Sequence, residues 1–234
     1  MSSRDNSTNE YRCSSAARRT LLSQRNSFKG NAPESAKNSV KSSHLISRAT
    51  FVVVDVETTG MSPINDRITE IAMMKVKNSV LVDEFSTLIN PLVTIPAYIT
   101  SMTGIDNVMV QDAPTAREVV PFITEFLSDA IFVAHNAPFD WGFVSQTSKR
   151  ERGIQLLNHQ LCTVRLAGRI LPQLPSKSLG PLAQFLGVKI PERHRASGDA
   201  YATALILVKF LSYVQRKEGL KTAEDLLKYQ YRTR

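Results

Sequence analysis

The chain has 234 residues, 42% hydrophobic and 21% charged, a composition that suits a globular protein of one domain plus tails. Its longest uncharged apolar run, Ala200–Val208, is far short of the ~20 residues a membrane helix needs, and two cysteines, Cys13 and Cys162, make neither a disulfide framework nor a four-sulfur zinc site. The net charge of +8 is uneven: residues 1–48 carry nine Lys/Arg against three Asp/Glu, residues 49–214 fourteen against fifteen, and residues 215–234 six against three.

Residues 1–48 read as a disordered basic leader, because twelve of them are serine and no helical or strand period persists. Rich in Arg and Ser and poor in acids, this stretch also has the composition of an organelle transit peptide, and a basic tail raises nonspecific affinity for nucleic acid. The scarcity of cysteine otherwise suits a reducing, cytoplasmic compartment. Residues 49–215 read as the folded domain and residues 216–234 as a basic helical tail.

Phe51 to Val56 is a β-branched run of the kind found in a central strand buried on both faces. Arg67–Lys77 and Val80–Ile89 follow as strands, and Lys77-Asn78-Ser79 between them predicts an antiparallel hairpin. Pro96–Met102 fits a short helix ending at Gly104, and Pro114 opens a longer one with Val119, Phe122, Ile123, Phe126 and Leu127 on one face. Ala130–Ala134 reads as a strand, followed by a helix from Pro138, a strand over 157–163 and a helix over 178–186. A long helix over 196–215 and a short one within 221–229 complete the pattern. Strands first and alternating helices and strands later predict an α/β domain with a mixed five-stranded sheet, an antiparallel meander leading into parallel strands with flanking helices.

Asp55 and Glu57 are two apart on the first strand, so their carboxylates share a face. Two unpaired acids ending an apolar strand cost several kcal/mol each unless compensated, and Thr58-Thr59-Gly60 then turns at the sheet edge where ligands bind in α/β folds. Asp140, in Asn136-Ala137-Pro138-Phe139-Asp140, falls in the first turn of a helix after another strand. His194 and Asp199 lie where a loop enters the last long helix. Four carboxylates repel strongly in a partly dry site, and two divalent cations offset them. An all-oxygen donor set suits Mg²⁺ or Mn²⁺, which about 4 Å apart clamp the attacking and leaving oxygens of a phosphodiester, while a histidine takes the proton of the attacking water.

These three segments resemble the Exo I, Exo II and Exo III motifs of the DEDDh (DnaQ-like) 3′→5′ exonucleases, the family of the DNA polymerase III epsilon proofreading subunit. Asp55-Val56-Glu57-Thr58-Thr59 matches D-x-E-x-T, Asn136–Asp140 matches N-x-x-[FY]-D, and His194–Asp199 matches H-x-A-x-x-D, in the family's order and within residues 50–212. The resemblance implies an RNase H-like fold and release of nucleoside 5′-monophosphates from 3′ ends, single-stranded DNA first, with a role in proofreading or repair and a polymerase subunit as partner. It implies that Asp55, Glu57, Asp140 and Asp199 hold two Mg²⁺ or Mn²⁺ ions and that His194 is the general base. It also implies that Thr58, Thr59 and Gly60 offer backbone N–H groups to the terminal 3′-hydroxyl. Met61, Met102 and Ile105 are the candidates to wedge against terminal bases, and His135 and Asn136 complete the substrate-side set. The chain departs from the epsilon pattern in having no long C-terminal extension and no clamp-binding peptide, which weighs against a stable replicase-subunit role.

Two other readings share these residues. The same chemistry can act on RNA, as in RNase T or oligoribonuclease, since the groups that sense a 2′-hydroxyl lie outside the motifs. A nuclease-fold module can also bind nucleic acid or a partner without cleaving. His135 reads more readily as a loop-orienting residue, Trp141 and Phe143 as core, and Arg193 and Arg195 as phosphate contacts or solvated surface. P-loop, Rossmann, serine-hydrolase and zinc-protease motifs are absent.

Overall fold

A computed structural model describes residues 45–232; the expected disordered leader falls outside the described residues up to position 44. Five strands form one sheet: β1 (Thr50–Thr58), β2 (Ile68–Lys77), β3 (Val80–Leu88), β4 (Ile131–Ala134) and β5 (Gln160–Cys162), in spatial order β3-β2-β1-β4-β5. The first three pair antiparallel, and β4 and β5 add in parallel, as the sequence predicts. Asn78 and Ser79 both have positive φ, 50° and 59°, the two-residue hairpin geometry whose twist suits adjoining strands, and Lys77 pairs with Val80 across it.

The helices are α1 (Ala97–Thr103), α2 (Asn107–Val110), α3 (Ala116–Leu127), α4 (Ala137–Arg152), α5 (Thr163–Ile170), α6 (Leu179–Phe185), α7 (Ala196–Lys217) and α8 (Ala223–Tyr229). Sequence periodicity does not separate α2 and α5 from their surroundings, because one has four residues and the other begins directly where β5 stops. Helix α3 starts two residues after Pro114, at a capping box in which Thr115 and Glu118 satisfy each other's backbone donors. Inside it Pro121 lacks the N–H that would bond the Arg117 carbonyl, and Arg152 Nε of α4 donates to that oxygen instead at 2.8 Å. The basic end of α4 is thus partly structural, with Arg150 also paired to Glu151.

One face of the sheet, carrying Phe51 and Val53 of β1, packs against α5, α6, α7 and α8 in a core that includes Ala200, Ala204, Leu207 and Leu211. Ile46 and the buried Ala223, Leu226 and Tyr229 belong to that core, so apolar residues on both sides of the expected 49–215 boundaries pack with the domain. Main-chain pairing reinforces this: Leu45 bridges Thr222, and Ile46 N–H donates to the Lys221 carbonyl at 2.8 Å. On the outer edge of β5, Gln230 takes the place of a neighbouring strand, accepting from Cys162 N–H and donating to the Gln160 carbonyl, both at 2.9 Å. On the opposite face the half-buried Trp141 meets Phe132 edge-on at 5.1 Å, and Phe143 is fully buried, the core role expected of it. Cys162 is a free, buried thiol. Among the described residues no helix is long and apolar enough to cross a membrane.

Candidate active site

The β1 face that carries Phe51 and Val53 into the α7 core continues two and four residues on as Asp55 and Glu57. Both are half-buried while Val54, Val56 and Thr58 around them are buried. Above that end of β1 lies the first turn of α7, which brings Asp199. One carboxylate oxygen from each of Asp55, Glu57 and Asp199 lies within 4.8 Å of the others.

Asp140 arrives from the neighbouring strand. β4 runs parallel to β1 from Ile131 opposite Phe51 to Val133 opposite Val53, so both strands end at the same edge, and α4 begins there. Past that pairing, the Val56 N–H donates to Asp140 Oδ1 at 3.2 Å instead of to a strand carbonyl. The turn that aims α4 depends on Asn136, which caps the helix in the left-handed region at φ 84°, where asparagine is among the best tolerated residues.

His194 is exposed and has φ 61°, which non-glycine residues rarely adopt. Its N–H donates to Asp199 Oδ2 at 3.3 Å, while Asp199 Oδ1 is buried and finds no hydrogen-bond donor among the described residues.

The electrostatics of the cluster are those of a site missing positive charge. Burial, then Asp140, Glu57, Asp199 and Glu70, push the Asp55 carboxyl well above the usual range. Burial, then Glu70, Asp199 and Asp140, raise Glu57 to about 8 against a smaller opposing effect of Arg195. Burial raises Asp140 to about 8 although the N–H groups of Asp140 and Val56 stabilise its anion, and burial also raises Asp199. With every donor an oxygen and one buried carboxylate oxygen left over, the residues fit hard divalent cations.

The substrate-side residues divide. Met61 at 73% exposure and Met102 at 52% stand out from the surface, as a base-contacting pair would. Ile105 does not: it is fully buried with Ile95, Ile99 and Val110, holding α1 and α2 together, and cannot wedge against a base. The Thr59 N–H is likewise taken by the Arg67 carbonyl at 2.8 Å and is not open to a 3′-hydroxyl. Thr58 turns its hydroxyl onto the Gly60 carbonyl at 2.6 Å. Asp66 packs onto Gly60, where a Cβ would lie 2.4 Å from its Oδ2 and would have to displace the carboxylate that accepts from Ser62 N–H at 2.8 Å. His135 places Nδ1 2.9 Å from Thr163 Oγ1, and burial lowers it to about 4, so at neutral pH it is an uncharged loop-orienting residue.

Sequence reasoning passed over Glu70. This buried acid of β2 lies opposite Glu57 in the hairpin register and bonds Arg195 and the start of α7. The available signal was a charged residue in an otherwise buried strand, which demands a partner.

Comparison with known proteins identifies the class. The exonuclease family model, RNase T, matches residues 52–207, and the chain belongs to this family of DEDD-type exonucleases, hydrolases of phosphodiester bonds that work with divalent cations. It is 35% identical over 187 residues to the DNA polymerase III subunit epsilon of Aquifex aeolicus, covering 80% of this chain and 93% of that protein. It is 44% identical over 176 residues to the PolC-type DNA polymerase III of Caldanaerobacter subterraneus subsp. tengcongensis, covering 75% of this chain but only 12% of that polymerase. Among solved structures, exonuclease X in complex with 5′ overhanging duplex DNA superimposes with TM-score 0.61 at 26% identity, covering 77% of this chain and 99% of that one. Exonuclease I of E. coli with a dA16 oligonucleotide shares the fold at TM-score 0.64 and 19% identity, over 78% of this chain and 43% of that one. The sheet order and these neighbours make the fold RNase H-like, as expected.

Proposed function

We propose that the chain hydrolyses the terminal phosphodiester at the 3′ end of single-stranded DNA and releases nucleoside 5′-monophosphates, with Mg²⁺ or Mn²⁺ as the cations. The observation that carries this reading is the convergence of Asp55, Glu57 and Asp199 oxygens within 4.8 Å, with Asp140 held at the same sheet edge. Asp55, Glu57 and Asp199 would hold one cation, and Asp55 with Asp140 the second. Bound there, the cations supply Lewis-acid stabilisation to the attacking and leaving oxygens. His194, exposed beside Asp199, takes the proton of the attacking water. The water oxygen joins phosphorus, the bond from phosphorus to the 3′-oxygen breaks, the 3′-oxygen takes a proton from solvent, and the shortened strand leaves with a 3′-hydroxyl.

The exposure of Met61 and Met102 supports a role for them against the terminal bases, with the Thr58–Gly60 turn and Asn136 as further substrate-side candidates. The relatives that are polymerase III proteins and the neighbour solved with DNA favour DNA over RNA, and they favour a polymerase as partner in proofreading.

The test is a 5′-labelled single-stranded DNA and a matched RNA incubated with the full chain, in Mg²⁺ or EDTA, beside Asp55→Asn. A Mg²⁺-dependent ladder shortening from the 3′ end of the DNA, absent in the variant, is expected. Faster shortening of the RNA would reassign the substrate. Wild-type turnover in Asp55→Asn, or no shortening of either strand in Mg²⁺ or Mn²⁺, would overturn the assignment.

A further inference from the structure

The last long helix begins under an unusual constraint. Arg195 is the residue before α7, and its side chain does not cap the helix. The orphan N–H of Ala196 is satisfied instead by Glu70 Oε2 at 3.0 Å, from a strand 126 residues earlier. The same carboxylate receives Arg195 as a fork, Nη2 to Oε1 at 2.8 Å and Nε to Oε2 at 3.1 Å. Glu70 is only 5% exposed and is bound by all three donors, so it is occupied although it neighbours Glu57 and the metal-binding acids.

Everything the site needs from this segment hangs on that junction. His194 precedes Arg195 and holds φ 61°; Asp199 follows within the first turns and accepts the His194 N–H. Upstream in the same loop the exposed Arg193 guanidinium lies over Gly180 of α6, about 3.1 Å from where a Cβ would stand. Drawing the Arg195 fork away onto a phosphate would leave the buried Glu70 carboxylate with the Ala196 N–H but without its charge partner beside Glu57, a costly arrangement for a buried ion.

We propose that Glu70 and Arg195 form a positioning latch that sets His194 and Asp199 relative to the β1 carboxylates and acts on the chemical step rather than on substrate binding. This rests on the exonuclease reading above. The latch touches neither substrate nor metal, and its effect runs through the start of α7.

The experiment compares wild type, Glu70→Gln, Arg195→Gln and the double variant in single-stranded DNA degradation, with Mn²⁺ calorimetry in the absence of nucleic acid. Each single variant is expected to lose about tenfold or more in kcat with KM within roughly threefold, and the double to lose no more than either single. Mn²⁺ affinity should fall in all three, because Asp199 is carried by the same helix start. A raised KM with unchanged kcat would make Arg195 a substrate contact and overturn the latch. Losses that multiply in the double would overturn it also. If Glu70→Gln does not fold, Arg195→Gln and Arg195→Lys, whose side chain is 32% exposed, carry the test, and lysine should restore only part of the rate. If the wild type degrades no strand, the exonuclease reading fails by itself, and unchanged Mn²⁺ affinity in the variants still overturns the latch.

Discussion

Gly198 stands in the first turn of α7, and the backbone of Glu192 folds against it. A Cβ at that position would lie 2.1 Å from the Glu192 carbonyl oxygen and 2.8 Å from its carbon and nitrogen. Carbon and oxygen approach no closer than about 3.3 Å in favourable contacts, so Gly198→Ala must open this gap by about 1 Å. The obstacle is backbone, not the swinging end of a side chain. Helix α7 cannot yield, because its apolar face is built into the core from Ala196 to Val214. The loop must therefore move, and it carries His194 two residues beyond Glu192. A displacement of about 1 Å in a reacting group costs about 10²-fold, while overpacking costs about 1–3 kcal/mol of stability. Single-turnover degradation of labelled single-stranded DNA, well below the melting temperature, should show that rate loss while calorimetry shows Mn²⁺ still binding. Gly198→Ala with a rate within roughly threefold of wild type would show that the loop is not braced against α7 as described.

The companion substitution Gly168→Ala, in α5 where a Cβ meets nothing within 4 Å, should stabilise by about 0.5–1 kcal/mol in thermal melts and leave the rate alone; a lower melting temperature would contradict the geometry. His194→Ala should lower kcat by about 10²–10⁴ and change KM little, and a change confined to KM would remove it as the general base. The metal-free protein should lose stability as pH rises from about 6.5 to 8. In that window Glu57 and Asp140, raised from 4.5 and 3.8 to about 8, still hold protons in the folded state that the unfolded chain has released. His135, lowered from 6.5 to about 4, works in the opposite direction but only below that window. Melts in EDTA should fall across it and melts in Mg²⁺ or Mn²⁺ should fall less; equal slopes would show that the carboxylates do not bind the cations.

Much of the fold was legible because its signals are local. The β-branched run of β1 and the Asn78-Ser79 turn declare themselves within a few residues, and so does the period of α3. The spacing of Asp55 and Glu57 placed both carboxylates on one face, since alternation along a strand is a property of the backbone. The positions of Asp140 and Asp199 in first helical turns were equally readable, because helix starts have their own chemistry. Tertiary structure decided the rest. Ile105 looked like a surface wedge beside Met102 until packing of α1 on α2 buried it. Thr59 looked like an open donor until the register of β1 and β2 gave its N–H to Arg67. Glu70 gained a meaning only when the fold laid the beginning of α7 upon it, and the short C-terminal helix gained its packing partners only from the core. Local periodicity is written in neighbouring residues, whereas burial and hydrogen-bond partners come from segments a hundred residues apart, and only the closed sheet with its covering helices brings those together.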